Sequence, residues 1–108
     1  MNILQVLPRL EYGGVERGTV DLARFLSENN HKCIVASGGG AFKKYLDAAG
    51  VKHYELPLYK KSPFVIFRMI TELADIIKKE NIEIVHARSR VPAIAAFFAA
   101  RRTNVKFI

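Results

Sequence analysis

Short apolar runs alternate with longer stretches of helical spacing along this chain. Ile3 to Leu7 is an apolar run closed by Pro8. From Val15 to Asn29 the apolar positions return every three or four residues. Val15, Thr19, Leu22, Ala23 and Leu26 share one face, and Glu16, Arg17, Asp21, Arg24 and Glu28 oppose it. Cys33 to Ser37 is a second run, ended by Gly38-Gly39-Gly40. Phe42, Tyr45, Leu46 and Ala49 mark a short helix that Gly50 stops. Val51 to Leu56 is a third strand, and Pro57 to Pro63 a loop. Ser62 and Pro63 are a natural N-cap and first residue for a third helix. Phe67, Ile70, Leu73, Ala74 and Ile77 form its core face, and Asn81 ends it. Ile82 to Ala87 is a fourth strand. Ser89 caps a fourth helix with Pro92 in its first turn, which runs to Arg102. Asn104 to Ile108 begins a fifth strand.

Strands separated by helices of this length pair in parallel through right-handed crossovers. Both faces of such a sheet are covered, so the strand centres are nearly continuous in apolar residues. The expected architecture is α/β: a doubly wound, Rossmann-like parallel sheet, truncated after about five strands. Ending on a strand predicts that residues 1–108 are part of a larger domain, because the last strand would otherwise leave an exposed apolar edge.

Composition narrows the class. The chain has 108 residues, half of them apolar and a quarter charged, which suits one globular domain. The single cysteine, Cys33, excludes an internal disulfide framework and a cysteine zinc cluster, and a mid-strand thiol is expected to be inert core. No run of eighteen apolar residues is present, and the N-terminus lacks the features of a signal peptide. A cytoplasmic location is expected. The net charge of +7 is uneven: residues 1–54 carry +2 and residues 55–108 carry +5. That bias suits an anionic partner, whether membrane surface, phosphorylated substrate or nucleic acid.

Ligands of doubly wound sheets bind beyond the carboxyl ends of the strands. Pro8 to Glu16, Ser37 to Gly40 and His86 to Arg90 fall there. Gly13-Gly14 lets the backbone approach a ligand closely, and the free amides of the following helix face an anion. The same pair would also simply make the strand-to-helix turn. The spacing is Gly-Gly-x-x-x-Gly, the second strand ends without an acidic residue, and no Walker lysine is present. A nicotinamide-dinucleotide enzyme and a P-loop NTPase are therefore disfavoured. Gly18, inside a helix, costs roughly 1 kcal/mol against Ala, which close packing on the sheet would offset. His86, Arg88, Ser89 and Arg90 form a second cluster suited to phosphate or sugar hydroxyls. The bland alternative is a hydrogen-bonded strand-end histidine, solvated arginines and a capping serine. Lys60 and Lys61 precede Phe64-Val65-Ile66-Phe67, so this segment is either a membrane contact or core behind a charged loop. No Ser-His-Asp set, metal-binding histidine pair or carboxylate pair is evident, and no metal is expected.

Two blocks together carry a resemblance. Pro8-Arg-Leu-Glu-Tyr-Gly-Gly-Val-Glu-Arg-Gly-Thr-Val-Asp-Leu-Ala23 resembles the opening of family-4 glycosyltransferases with the GT-B architecture. Ile84-Val-His-Ala-Arg-Ser-Arg-Val-Pro-Ala93 resembles the fourth-strand motif of the same N-terminal domain. The resemblance spans the whole chain. It implies one half of a GT-B fold and a retaining transferase of nucleotide-activated sugars, with no cofactor beyond that donor substrate. It places Gly13 and Gly14 in the loop nearing the donor phosphates, with Glu16 supporting that loop. It places His86, Arg88, Ser89 and Arg90 on the cleft side. The family's C-terminal nucleotide-sugar domain has no counterpart in these residues.

The expected function is therefore the acceptor-side part of a glycosyltransferase acting on a cell-envelope glycan or glycolipid. Activity is not expected from this chain alone, and Lys60 and Lys61 are the candidate contacts with the inner face of the membrane, the alternative being an ordinary core helix behind a charged loop. The alternative is a non-catalytic relic or a split-gene partner that associates with a second chain carrying the C-terminal domain. Nucleic-acid binding rests on charge alone, without a recognisable motif, and is not expected.

Overall fold

A computed structural model describes residues 1–11 and 13–108. Tyr12, a member of the first motif, lies outside the described residues. Five strands and four helices alternate: β1 (Asn2–Val6), α1 (Gly14–Glu28), β2 (Lys32–Ser37), α2 (Lys43–Ala48), β3 (Lys52–Glu55), α3 (Pro63–Lys79), β4 (Ile84–Ala87), α4 (Arg90–Thr103) and β5 (Lys106–Phe107). The sheet order is β3-β2-β1-β4-β5, and every pairing is parallel. The order reverses between β1 and β4, so the loops after these two strands face each other across the switch point where such sheets bind ligands.

All four helices end by the same device. Asn30, Asn81 and Asn104, and Gly50 after the short α2, take left-handed backbone angles. The next amide then donates to the carbonyl five residues back: His31 to Leu26, Val51 to Leu46, Ile82 to Ile77 and Val105 to Ala100, at 2.9 to 3.0 Å. These bonds satisfy carbonyls that the helix ends leave free and turn the chain into the next strand.

Two apolar layers sandwich the sheet. Leu4, Val6, Ile34, Ala36 and Val85 meet Leu73, Ala74 and Ile77 of α3 and the alanines 95, 96, 99 and 100 of α4. Leu7, Cys33 and Val35 meet Val20, Ala23 and Leu26 of α1 and Leu46 of α2. Cys33 is the expected buried thiol, and burial pushes its pKa up.

Two helix faces differ from expectation. Val15 is 45% exposed while Val20 is buried, so the core face of α1 is turned toward Val20 and Thr19. The Thr19 hydroxyl is accommodated there because it donates to the Val15 carbonyl at 2.9 Å. Phe67 is 70% exposed and is not core, and Phe64 is 87% exposed. Met69 and Ile76 bury instead beside Ile70, Leu73, Ala74 and Ile77. The small side chains of α4 bring it close to α3, and the outer flank of α3 is left uncovered. Strands β3 and β5 are shorter than their apolar runs. Both lie at sheet edges, where pairing on one side only shortens the ladder.

Candidate functional site

The chain leaving β1 is held by the chain leaving β2. Gly38 N donates to Pro8 O at 2.7 Å, Leu10 N to Gly39 O at 2.9 Å, and Phe42 N to Leu10 O at 2.7 Å. A β-carbon at Gly38 would fall 2.5 Å from the Tyr59 ring, and one at Gly40 would fall 2.5 Å from Leu10 O. The glycine run after β2 is thus a backbone clasp on the first loop. Ser37, fully buried, bonds His53 Nε2 at 2.6 Å and accepts from Gly39 N at 3.1 Å. Burial, and secondly Lys43, lowers the His53 pKa, which favours the neutral ring.

The clasped loop forms one wall of a cleft of about 360 Å³ at the carboxyl ends of β1 and β4. Pro8, Arg9 and Glu11 come from the loop, Val15 and Glu16 from the first turn of α1, and Arg88 and Ser89 from the segment between β4 and α4. Arg9 lies over the Tyr59 ring, 3.9 Å from its centre, and 4.0 Å from the Glu11 carboxylate. That pair is half exposed and worth little on its own.

Gly13 is the N-cap of α1 and Gly14 its first residue. The Glu16 carboxylate folds back over Gly13, so a β-carbon there would sit 2.8 Å from Oε1. Glu16 therefore places negative charge at the positive end of the helix. Among the described residues nothing lies within 4 Å of a β-carbon built on Gly14.

Arg88 is the best-supported side chain of the site. It is half-buried, its amide donates to Val6 O at 2.9 Å, and its Nε donates to Gln5 Oε1 at 2.9 Å. No carboxylate pairs with it among the described residues. A β-carbon on Gly18 would be 3.4 Å from its Nη1, so Gly18 borders the guanidinium rather than the sheet. Ser89 occupies the N-cap of α4, but its hydroxyl makes no capping bond. His86 pairs with Gln5 in register, is half-buried, and has its pKa lowered by burial and then by Arg88.

The structure thus brings Glu16, Arg88 and Ser89 to one cleft, with Gly13 and Gly14 in the same turn. His86 lies in β4 and Arg90 is exposed at the start of α4, and neither lines the cleft. Lys60 and Lys61 are exposed ahead of α3 and do not line the cleft. Gln5 is a site residue that sequence reading passed over, and Arg9 and Glu11 lie in the Pro8 to Glu16 segment without having been singled out. The one available signal was Gln5, a polar residue inside an apolar run. No cluster suited to a metal ion occurs among the described residues.

Comparison with known proteins places the whole chain. The Glycosyltransferase Family 4 model matches residues 12–108. A glycosyltransferase from Rickettsia africae is 40% identical with a TM-score of 0.87. The match covers 98% of this chain and 28% of that one. Anabaena HepE, solved with UDP, matches at 15% identity and a TM-score of 0.77 over 99% of this chain and 28% of its own. Acinetobacter baumannii MurG matches at 14% identity and 0.76 over 98% and 33%. The last two show the shared fold, that of one half of a GT-B enzyme. No curated protein sequence matches.

Proposed function

Because this chain belongs to glycosyltransferase family 4, we propose that it is the acceptor-side part of an enzyme moving a sugar from a nucleotide-activated donor. The acceptor is a cell-envelope glycan or glycolipid. The carboxyl-end cleft takes the phosphate-bearing groups of the reactants, and a C-terminal domain supplies most of the nucleotide site. The observation that carries this reading is Arg88: a guanidinium at the switch point, tethered through Nε, with no carboxylate partner among the described residues. Such a group suits phosphate oxygens. Gly13, Gly14, Ser89 and Arg9 surround the position such a phosphate would take, and Arg90 and His86 flank it.

In this reading the enzyme works against an anionic membrane. Phe67, Ile70, Ile94 and Phe98 line an apolar groove of about 610 Å³ between α3 and α4 with Arg101 and Arg102, and exposed Lys60, Lys61 and Phe64 lie in sequence at the start of α3. Apolar anchors beside cations fit anionic headgroups. No described helix is long and apolar enough to cross a membrane.

The test is calorimetric titration of the chain with UDP and with inorganic pyrophosphate, beside turnover assays on UDP-sugars. Millimolar or tighter binding that Arg88→Ala weakens about tenfold, without turnover by the chain alone, is expected. Binding indifferent to Arg88 overturns the assignment of the cleft. Turnover by the chain alone overturns the division of labour between domains. For the membrane, Lys60→Glu with Lys61→Glu is expected to abolish low-salt binding to phosphatidylglycerol vesicles, and unchanged binding removes that contact.

A further inference from the structure

Gln5 lies next to the last residue of β1, fully buried, where an aliphatic residue would bury more apolar surface without polar atoms to satisfy. Both ends of its amide are used. Oε1 accepts from Arg88 Nε at 2.9 Å. Nε2 donates to the Thr19 carbonyl at 3.1 Å and contacts Cys33 Sγ at 3.5 Å. The amide has only one workable orientation. Turned over, its NH2 would face the Arg88 N–H and its oxygen the Thr19 carbonyl, donor against donor and acceptor against acceptor.

From this geometry we infer that Gln5 is a positioning residue for Arg88. It holds the guanidinium by Nε so that the terminal nitrogens stay aimed at the cleft, and it does so without cancelling their charge. The second point explains the residue type. A glutamate here would also accept from Nε, but it would neutralise the cation and compete with an incoming anion. A neutral amide orients the side chain and leaves the positive charge for a ligand. The anchor reaches across the molecule: Thr19 on α1 and Cys33 on β2 fix Gln5, Gln5 fixes Arg88 beyond β4, and Gly18 leaves space beside Nη1. A preorganised donor loses less entropy when it binds. The ligand class is a phosphate or pyrophosphate group, and that part rests on the reading of the cleft given above.

The test is nitrogen-proton NMR of the chain, with the Arg88 Nε–Hε signal assigned by its loss in Arg88→Lys. In the wild type this proton should exchange with water at least tenfold more slowly than those of the exposed arginines. Gln5→Leu should remove the protection and weaken inorganic pyrophosphate binding roughly threefold to tenfold. Gln5→Glu gives up the Thr19 bond but keeps an ionised acceptor for Nε, so the proton should stay protected while pyrophosphate weakens by tenfold or more, whereas loss of the anchor alone would expose the proton as in Gln5→Leu. An unprotected Arg88 Hε in the wild type overturns the inference and needs no variant to fold. Equal pyrophosphate affinity in wild type and a folded Gln5→Glu overturns it too. A wild type that protects Hε but binds neither pyrophosphate nor UDP overturns the anion site alone, so the two ideas fail separately.

Discussion

The two ends of the sheet carry the same kinds of charged group and use them in opposite ways. At the amino end the Glu80 carboxylate, buried where α3 ends, meets Lys32 Nζ at 2.8 Å and Lys52 Nζ at 2.7 Å. Tyr54 donates to the same carboxylate, and Lys32 also donates to the Glu80 carbonyl. Each cation there is answered by the shared carboxylate, and α3 is tied to β2 and β3. At the carboxyl end Arg88 is held by an amide, and no described carboxylate neutralises it. A cation answered by a carboxylate is structural. A cation held by a neutral group is left with charge to offer a ligand.

The largest expected effect is at the closed end. Glu80→Ala leaves two lysines and a tyrosine without their shared acceptor. The lysines are about half exposed, which discounts the cost of a buried ion pair to about 2 kcal/mol of stability. Urea unfolding checks this, and pyrophosphate affinity should stay the same. Arg88→Ala should do the reverse: about a tenfold loss of pyrophosphate affinity, roughly 1.4 kcal/mol, with little change in the unfolding midpoint. If either variant moves both readouts equally, the division between the ends does not hold.

Acid should dissect the same contrast. Hydrogen bonds from Lys32, Lys52 and Tyr54 hold the Glu80 carboxyl at about 2, against an ordinary 4.5. Its folded pKa lies below its unfolded one, so its stabilisation is full above about 4.5 and is lost as pH falls toward 2. Burial lowers the pKa of His53 and His86 from the ordinary 6.5. The unfolded state therefore takes up these protons first, and stability falls as pH drops below about 6.5. Unfolding free energy measured from pH 8 to 2 should decline in two steps. Glu80→Gln should flatten the lower step, and His53→Asn should reduce the upper one.

The smallest effect belongs to Gly18. An added methyl would only touch Arg88 Nη1, at 3.4 Å, and Gly18 does not need a left-handed conformation. Gly18→Ala should raise stability by about 0.5–1 kcal/mol through helix propensity. Gly18→Leu should crowd the guanidinium and weaken pyrophosphate severalfold. Unchanged affinity in Gly18→Leu would show that the arginine does not need that space.

Membership of a family and a parallel α/β fold were legible because both are local in sequence. Apolar runs of strand length, helical periods and the stops at Gly50 and Asn81 specify elements through backbone preferences that each segment carries by itself, whereas Asn104, read as the start of the last strand, is the left-handed end of α4. The two glycine- and arginine-bearing motifs sit in single short stretches. Phase and partnership are not local. Helical spacing put Phe67 and Val15 on core faces, but which side of an amphipathic helix meets the sheet depends on neighbours elsewhere in the chain. The alanines of α4 set how α3 seats, and Phe67 ends up in solvent. Gln5 and Arg88 are 83 positions apart. Only the crossover that sets β1 beside β4 brings them within hydrogen-bond reach. A buried amide and a cleft arginine each have many uses alone, and their contact exists only once the sheet has formed.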